Sequence, residues 1–150
     1  MKDAFGGILN LVIISVFLVI VSGVLTFIVS YTRAFQFKNA VISAFERFEG
    51  AGCTESGTAC ADYIDERAEG IGSFQFTGDD FHCPSGFEHV EGKFCYKEES
   101  ASNLETEDFF GNPKVYTISV AVRLNIPIIN QVFNFHFFRV SGTTRIIYVK

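Results

Sequence analysis

The most definite chemistry in this 150-residue chain belongs to four cysteines, Cys53, Cys60, Cys83 and Cys95. They are even in number, and their C-x6-C and C-x11-C spacings differ from the C-x2-C pairs that zinc sites favour. Disulfides are the expectation, and disulfides persist in oxidising compartments, which argues for an extracytoplasmic setting. Four cysteines allow three connectivities. Two local pairings are sterically feasible: Cys53 with Cys60 would close a loop, and Cys83 with Cys95 would brace a hairpin around Gly92. His82, Cys83, His89 and Cys95 can also be drawn as a zinc site, a less favoured arrangement.

The carboxylates Asp62, Asp65, Glu66 and Glu69 crowd into one short helix or turn but do not follow the D-x-[DN]-x-[DN]-G pattern of a calcium loop. They read as a solvated acidic face, Asp79-Asp80 as a turn after Thr77-Gly78, and His136 as a surface histidine. No G-x-S-x-G, H-E-x-x-H, phosphate loop or dinucleotide fingerprint occurs. The expectation is a non-enzymatic protein with no metal and no cofactor. A net charge of -5 without a Lys/Arg-rich run also excludes nucleic acid as an expected partner, because phosphate-backbone affinity depends on displaced counterions. Charge is unevenly placed. Residues 55–108 hold 14 acidic and three basic side chains, whereas residues 109–150 hold five basic and no acidic ones. Such asymmetry can steer one subunit's flank to another's, although an acidic surface more often serves solubility.

The elements that position these residues begin with 29 uncharged residues, Ala4 to Thr32. A hydrocarbon core of ~30 Å needs about 20 helical residues, and a cleavable signal has a shorter apolar region of roughly 7–15. A membrane span is therefore expected, with surplus length that must tilt or pack against protein. Flanking charges favour a cytoplasmic C-terminal part, yet long C-terminal domains translocate with little regard to them, so the cysteines decide the orientation. Beyond the span, Phe37, Val41, Phe45 and Phe48 recur at intervals of four, four and three, one face of a helix. With no Pro or Gly between Gly23 and Gly50, one helix is expected from about Ala4 to Glu49, ended by Gly50-Ala51-Gly52; two helices bent near Ser30-Tyr31-Thr32 are the alternative. Its four amphipathic positions require a sheet to cover them. Within the span, Ala4, Ser15, Ser22, Thr26 and Ser30 fall within about an 80° arc, a face that a second helix can approach closely. The competing reading has the hydroxyls bonding their own helix's carbonyls.

The C-terminal third supplies the sheet. In residues 116–126 the even positions are Tyr, Ile, Val, Val, Leu and Ile and the odd ones are small or polar, which predicts a strand buried on one side. Pro127 ends it, Val132 to Val140 predicts a second strand, Ser141-Gly142-Thr143 a turn, and Thr144 to Val149 a third strand. Phe87 to Val90 and Lys93 to Tyr96 flank Glu91-Gly92 at hairpin spacing. The fold class is α+β, a long N-terminal helix on a small antiparallel sheet, divided as 1–32 (apolar helix), 33–50 (amphipathic extension) and 51–150 (disulfide-bonded, β-rich head).

A short polar start, a long apolar helix with an amphipathic half, a cysteine-closed loop region and a terminal sheet together resemble type IV pilins, pseudopilins and the minor pilins of tight-adherence pili. The resemblance rests on the helix Ala4 to Glu49 and on residues 120–127 and 137–144. It implies a helix that rests in the membrane and then forms a filament core, and a head that makes the outer surface. The chain departs from that family's processing site. Phe5 follows Ala4 rather than Gly, Leu9 stands fifth from Phe5 where the family has Glu, and no acidic residue lies between Asp3 and Glu46. The expectation is a filament subunit or assembly component that keeps its N-terminus, displayed outside the cell, with the membrane, other copies of itself and other pilus or envelope assembly proteins as partners. A single-pass anchored ectodomain acting as a binding or sensor module is the alternative.

Overall fold

The computed structural model describes residues 2–71, 82–90, 93–100, 112–123 and 137–149. Helix α1 runs without a break from Lys2 to Arg47, about 69 Å at ~1.5 Å per residue. The alternative of two separate helices at Ser30-Tyr31-Thr32 does not hold, and the Thr32 hydroxyl donates to the Ile28 carbonyl four residues back (2.8 Å). The helix ends at Arg47 rather than Glu49. Glu49 adopts a left-handed conformation (φ 52°), and the Gly50 amide turns back to the Phe45 carbonyl (2.9 Å), the six-to-one bond that closes a helix C-terminus. Gly50, itself at φ 75°, leaves room for the ring of Tyr116; an added Cβ would come within 2.9 Å of its hydroxyl.

Helix α2, Ala59–Ile71, follows. Thr58 caps it, its hydroxyl accepting from the Ala61 amide (3.3 Å) and donating to the Gly52 carbonyl. Cys60 and Ile64 are buried, and Ala68 and Ile71 pack beside them, a stripe at helical spacing. The strands are β1 (Glu88–Val90), β2 (Phe94–Ser100), β3 (Asn112–Arg123), β4 (Phe137–Thr143) and β5 (Ile147–Val149). They form one antiparallel sheet in the order β1-β2-β3-β4, with β5 also pairing β3. The β1–β2 hairpin falls where the spacing predicts, with Val90 opposite Phe94. The fold is α+β: a long N-terminal helix packed on a small five-stranded sheet.

Two expectations need correction. Ser141-Gly142-Thr143 is strand, paired with residues 117–119 of β3; the interruption comes at Thr144–Ile146. Thr143 faces Thr117 but Ile147 faces Lys114, so four steps along one strand oppose three along the other, a one-residue bulge. Thr144 makes the bulge possible: its amide donates to the Tyr116 carbonyl (2.9 Å), and its buried hydroxyl accepts from the Tyr116 amide (3.0 Å). The second correction concerns the side of β3 expected to face solvent. Tyr116, Ile118 and Val120 are buried toward α1 as expected, but Ser119 and Ala121 are buried too. A segment crosses that second face, Cys83 bonding to Cys95 of β2 and the His82 carbonyl accepting from the Arg139 guanidinium of β4 (2.7 Å). The expected continuation of β3 through Leu124 to Ile126, the Pro127 stop, the second strand between 132 and 136, and His136 lie outside the described residues.

Candidate anchoring and assembly surface

Along α1 the surroundings of the side chains change within one turn. Between Ile8 and Val29 the large apolar residues are 37–66% exposed, and Tyr31 remains 45% exposed. From Ala34 onward a face is sealed: Ala34, Phe37, Val41, Ala44 and Phe45 have no accessible surface. Phe45 meets the rings of Phe94 (centroids 6.0 Å apart), Tyr96 (6.3 Å) and Tyr116 (5.1 Å), and Phe48 packs half-buried against Tyr63 of α2. All four amphipathic positions thus meet the sheet or α2. Their period of 3.6 places them on one face, and β2, β3 and α2 supply the apolar surface that the face needs.

Close approach of α1 to β4 depends on Gly142. An added Cβ there would lie 3.0 Å from Ile42 Cδ1 and 3.0 Å from Lys38 Nζ. The bulge at Thr144–Ile146 aims Arg145 at the last turn of α1. Glu46 accepts from the Arg145 amide (2.9 Å) and from the guanidinium Nε (3.1 Å) and Nη2 (2.9 Å). The Arg145 amide, followed by the guanidinium, holds the Glu46 carboxyl below its ordinary value.

The span's small residues are placed less decisively. Ser15, Ser22 and Thr26 are exposed and Ser30 is partly covered; the side chain of Ala4 lies outside the described atoms. Ser15 donates to the Leu11 carbonyl (2.9 Å) and Thr26 to the Ser22 carbonyl (2.9 Å), so these two hydroxyls are satisfied within the helix. Satisfied hydroxyls present a small, nearly apolar surface, which neither lipid nor a second helix would penalise.

All four cysteines are oxidised. Cys53–Cys60 (Cα–Cα 4.8 Å) ties the exit of α1 to the first turn of α2, and Cys83–Cys95 (5.7 Å) fastens the crossing segment to β2. The drawing of a zinc site from Cys83 and Cys95 fails because both sulfurs are engaged; His82 and His89 are exposed. Among the carboxylates of α2, Asp62, Glu66 and Glu69 are exposed, and Asp65 pairs with Lys93 (2.5 Å), joining α2 to the turn of the hairpin. Among the described residues no group of three or more His, Cys, Asp or Glu side chains is placed to hold a metal ion. Tyr96 donates to Glu88 across the hairpin; that bond, reinforced by burial, pushes its hydroxyl up to about 12. The small pocket between α2 and the hairpin, lined by Ile64, Asp65, Val90, Lys93 and Phe94 among others, has a volume of about 10 Å³, room for one water.

Sequence reasoning left residues 62–69 open as a short helix or turn, and it missed the apolar stripe that fixes α2 and the bulge at Thr144. That stripe, Cys60, Ile64, Ala68 and Ile71 behind a Thr58 cap, stands in the sequence. Nothing in the local pattern carried the bulge, since Thr144 acts through a partner 28 residues away. The surface this architecture leaves open is an apolar cylinder, long and apolar enough to cross a membrane and continuous with the helix that the head covers. In comparisons with known proteins, no family model, no curated protein and no solved structure matches the chain.

Proposed function

We propose that the chain is a pilin-like structural subunit of a cell-surface filament or of its assembly machinery, held in the membrane by α1 before assembly and polymerising through the same helix. The observation that carries the reading is the exposure of every large apolar side chain described between Ile8 and Tyr31, next to a head whose own apolar surface is covered by the second half of that helix. Eighteen exposed apolar side chains are incompatible with water, and the two environments that accept them are lipid and a bundle of like helices. The excess of the apolar segment over one bilayer favours an environment that also uses its ends. Two disulfides support an oxidising compartment for the head and hence its extracytoplasmic placement.

The experiment is an intact mass, without reductant, on material sheared from producing cells and on the washed membranes. Recovery in the sheared fraction with both disulfides formed is expected. Filament loss should also follow Ser22→Leu or Thr26→Leu, which enlarge the small-residue face. A second reading, a membrane-tethered binding or sensor module, draws support from Ser15 and Thr26, whose hydroxyls already have partners and need no second helix. Recovery in the membrane fraction alone, with normal behaviour of both leucine variants, would favour it.

A further inference from the structure

Helix α1 carries a repeat that neither its apolar character nor the packing of the head requires. Residues 11–17, 18–24 and 25–31 read Leu-Val-Ile-Ile-Ser-Val-Phe, Leu-Val-Ile-Val-Ser-Gly-Val and Leu-Thr-Phe-Ile-Val-Ser-Tyr. The segment is apolar on every side, so what recurs is residue type. Of the four leucines in α1, three stand seven apart, and Leu11, Leu18 and Leu25 are each followed four residues later by Ser15, Ser22 and Val29. Those alternating steps of four and three are the d and a positions of a heptad. A helix alone among lipids turns its faces every 3.6 residues and has no use for a period of seven, whereas a left-handed supercoil keeps residues seven apart on one seam. The same steps run on above the apolar segment through Thr32, Gln36, Asn39 and Ser43, all polar and uncharged. Every residue of this seam from Leu11 to Ser43 is exposed.

The seam lies on the side of α1 that the head leaves bare. At about 100° per residue, Thr32, Gln36, Asn39 and Ser43 centre roughly 160° from the sealed face of Ala34, Phe37, Val41, Ala44 and Phe45. Two helices joined along the seam at the usual spacing of about 8–10 Å therefore carry their heads on opposite flanks, clear of each other. Residue types select the geometry. Leu at d with Ile8 and Val29 at a favours two parallel strands, and the serines between them let the backbones approach closely. Gln36 and Asn39 meet their own counterparts only if both copies run parallel and unshifted, the way a polar seam residue fixes register. We propose that α1 pairs, parallel and in register, with α1 of a second copy of this chain through the Leu11–Ser43 seam. The inference deepens the proposed function and rests on its claim that α1 packs among like helices.

The test places one new cysteine at a time in the full chain, in washed membranes of producing cells, and measures disulfide-linked dimer after oxidation with copper phenanthroline. All four native cysteines are already paired, so the added thiol is the one available. One position links to itself only beside the axis of a parallel, unshifted pair. Leu25→Cys and Gln36→Cys are expected to give about fivefold more dimer, or better, than Ile20→Cys on the outer face of the heptad. Adding Leu11→Ala with Leu18→Ala should lower the Gln36→Cys dimer by about fivefold, and Ile13→Ala with Ile20→Ala should leave it unchanged. Intact mass without reductant checks that Cys53–Cys60 and Cys83–Cys95 are kept, and only such molecules are scored. Equal dimer at seam and outer positions, more at Ile20→Cys, or none at any position would each overturn the proposal. Recovery in the sheared fraction is scored separately. Filaments without seam dimers would end this inference alone, whereas seam dimers in membranes with nothing in the sheared fraction would uphold the pairing and end the filament reading.

Discussion

The two halves of α1 share a backbone and differ in everything around it. Below Tyr31 the large apolar side chains are exposed; from Ala34 to Phe45 one face has no accessible surface. The lower half is rich in Val and Ile, which are poorer helix formers than Leu or Ala, and among the described residues its large apolar side chains stay exposed rather than packed on the head. A bilayer or a helix bundle would enforce its helicity, because backbone groups out of reach of water must bond within the segment. The upper half needs no such help: sheet and α2 bury its face. One helix can thus serve two cores, with the boundary set by where the head begins rather than by a break in the chain.

The sharpest way to break that comparison is to truncate side chains on each side of the boundary. Phe45→Ala should cost the head about 3–5 kcal/mol, read as a lowered denaturation midpoint of the detergent-solubilised protein. Leu18→Ala should leave that midpoint within about 0.5 kcal/mol, since Leu18 is 58% exposed. Equal effects would erase the boundary. Next in size is the pair Cys53→Ala/Cys60→Ala, which frees the exit of α1 from α2 and should cost about 2–3 kcal/mol by the loop-closure relation. It should leave membrane fractionation unchanged, because the disulfide belongs to the upper core.

Much of this division is legible in the residues. Charge-free length marks the lower half, and the four-four-three spacing of Phe37, Val41, Phe45 and Phe48 marks the upper; the alternation at Tyr116, Ile118 and Val120 finds the surface that receives them. Attention to the carboxylates of residues 62–69 hid the apolar stripe of α2, although both lie on the same helix. The strand at Ser141–Thr143 reads as a turn because Ser-Gly-Thr is turn chemistry. There the reason for glycine is tertiary: a Cβ would press on the side chains of Ile42 and Lys38 of α1. The burial of Ser119 and Ala121 was likewise out of local reach, since the segment covering them is fixed by a disulfide and by Arg139.

Smaller effects sharpen the seam between α1 and the sheet. Thr144→Val removes the acceptor for the buried Tyr116 amide and should cost about 1–3 kcal/mol by thermal denaturation, with Thr144→Ser close to wild type. The smallest effect belongs to Glu46, and it depends on pH. Its folded value lies below the ordinary 4.5, so the carboxylate stabilises the fold fully above that pH and progressively less as pH falls through the folded value. Glu46→Gln should therefore lower stability at pH 7 and flatten the acid side of the curve; a variant with an unchanged acid limb would assign that limb to other groups.

The boundary itself is tested most directly by two truncations compared in water, residues 33–150 and residues 51–150, each assayed by unfolding midpoint and by count of disulfides formed. The account predicts a soluble, cooperatively unfolding 33–150 with both disulfides, and a 51–150 that fails to fold without Phe37, Val41 and Phe45. A folded, equally stable 51–150 would contradict it, because the upper half of α1 would then lie on the head without being part of its core.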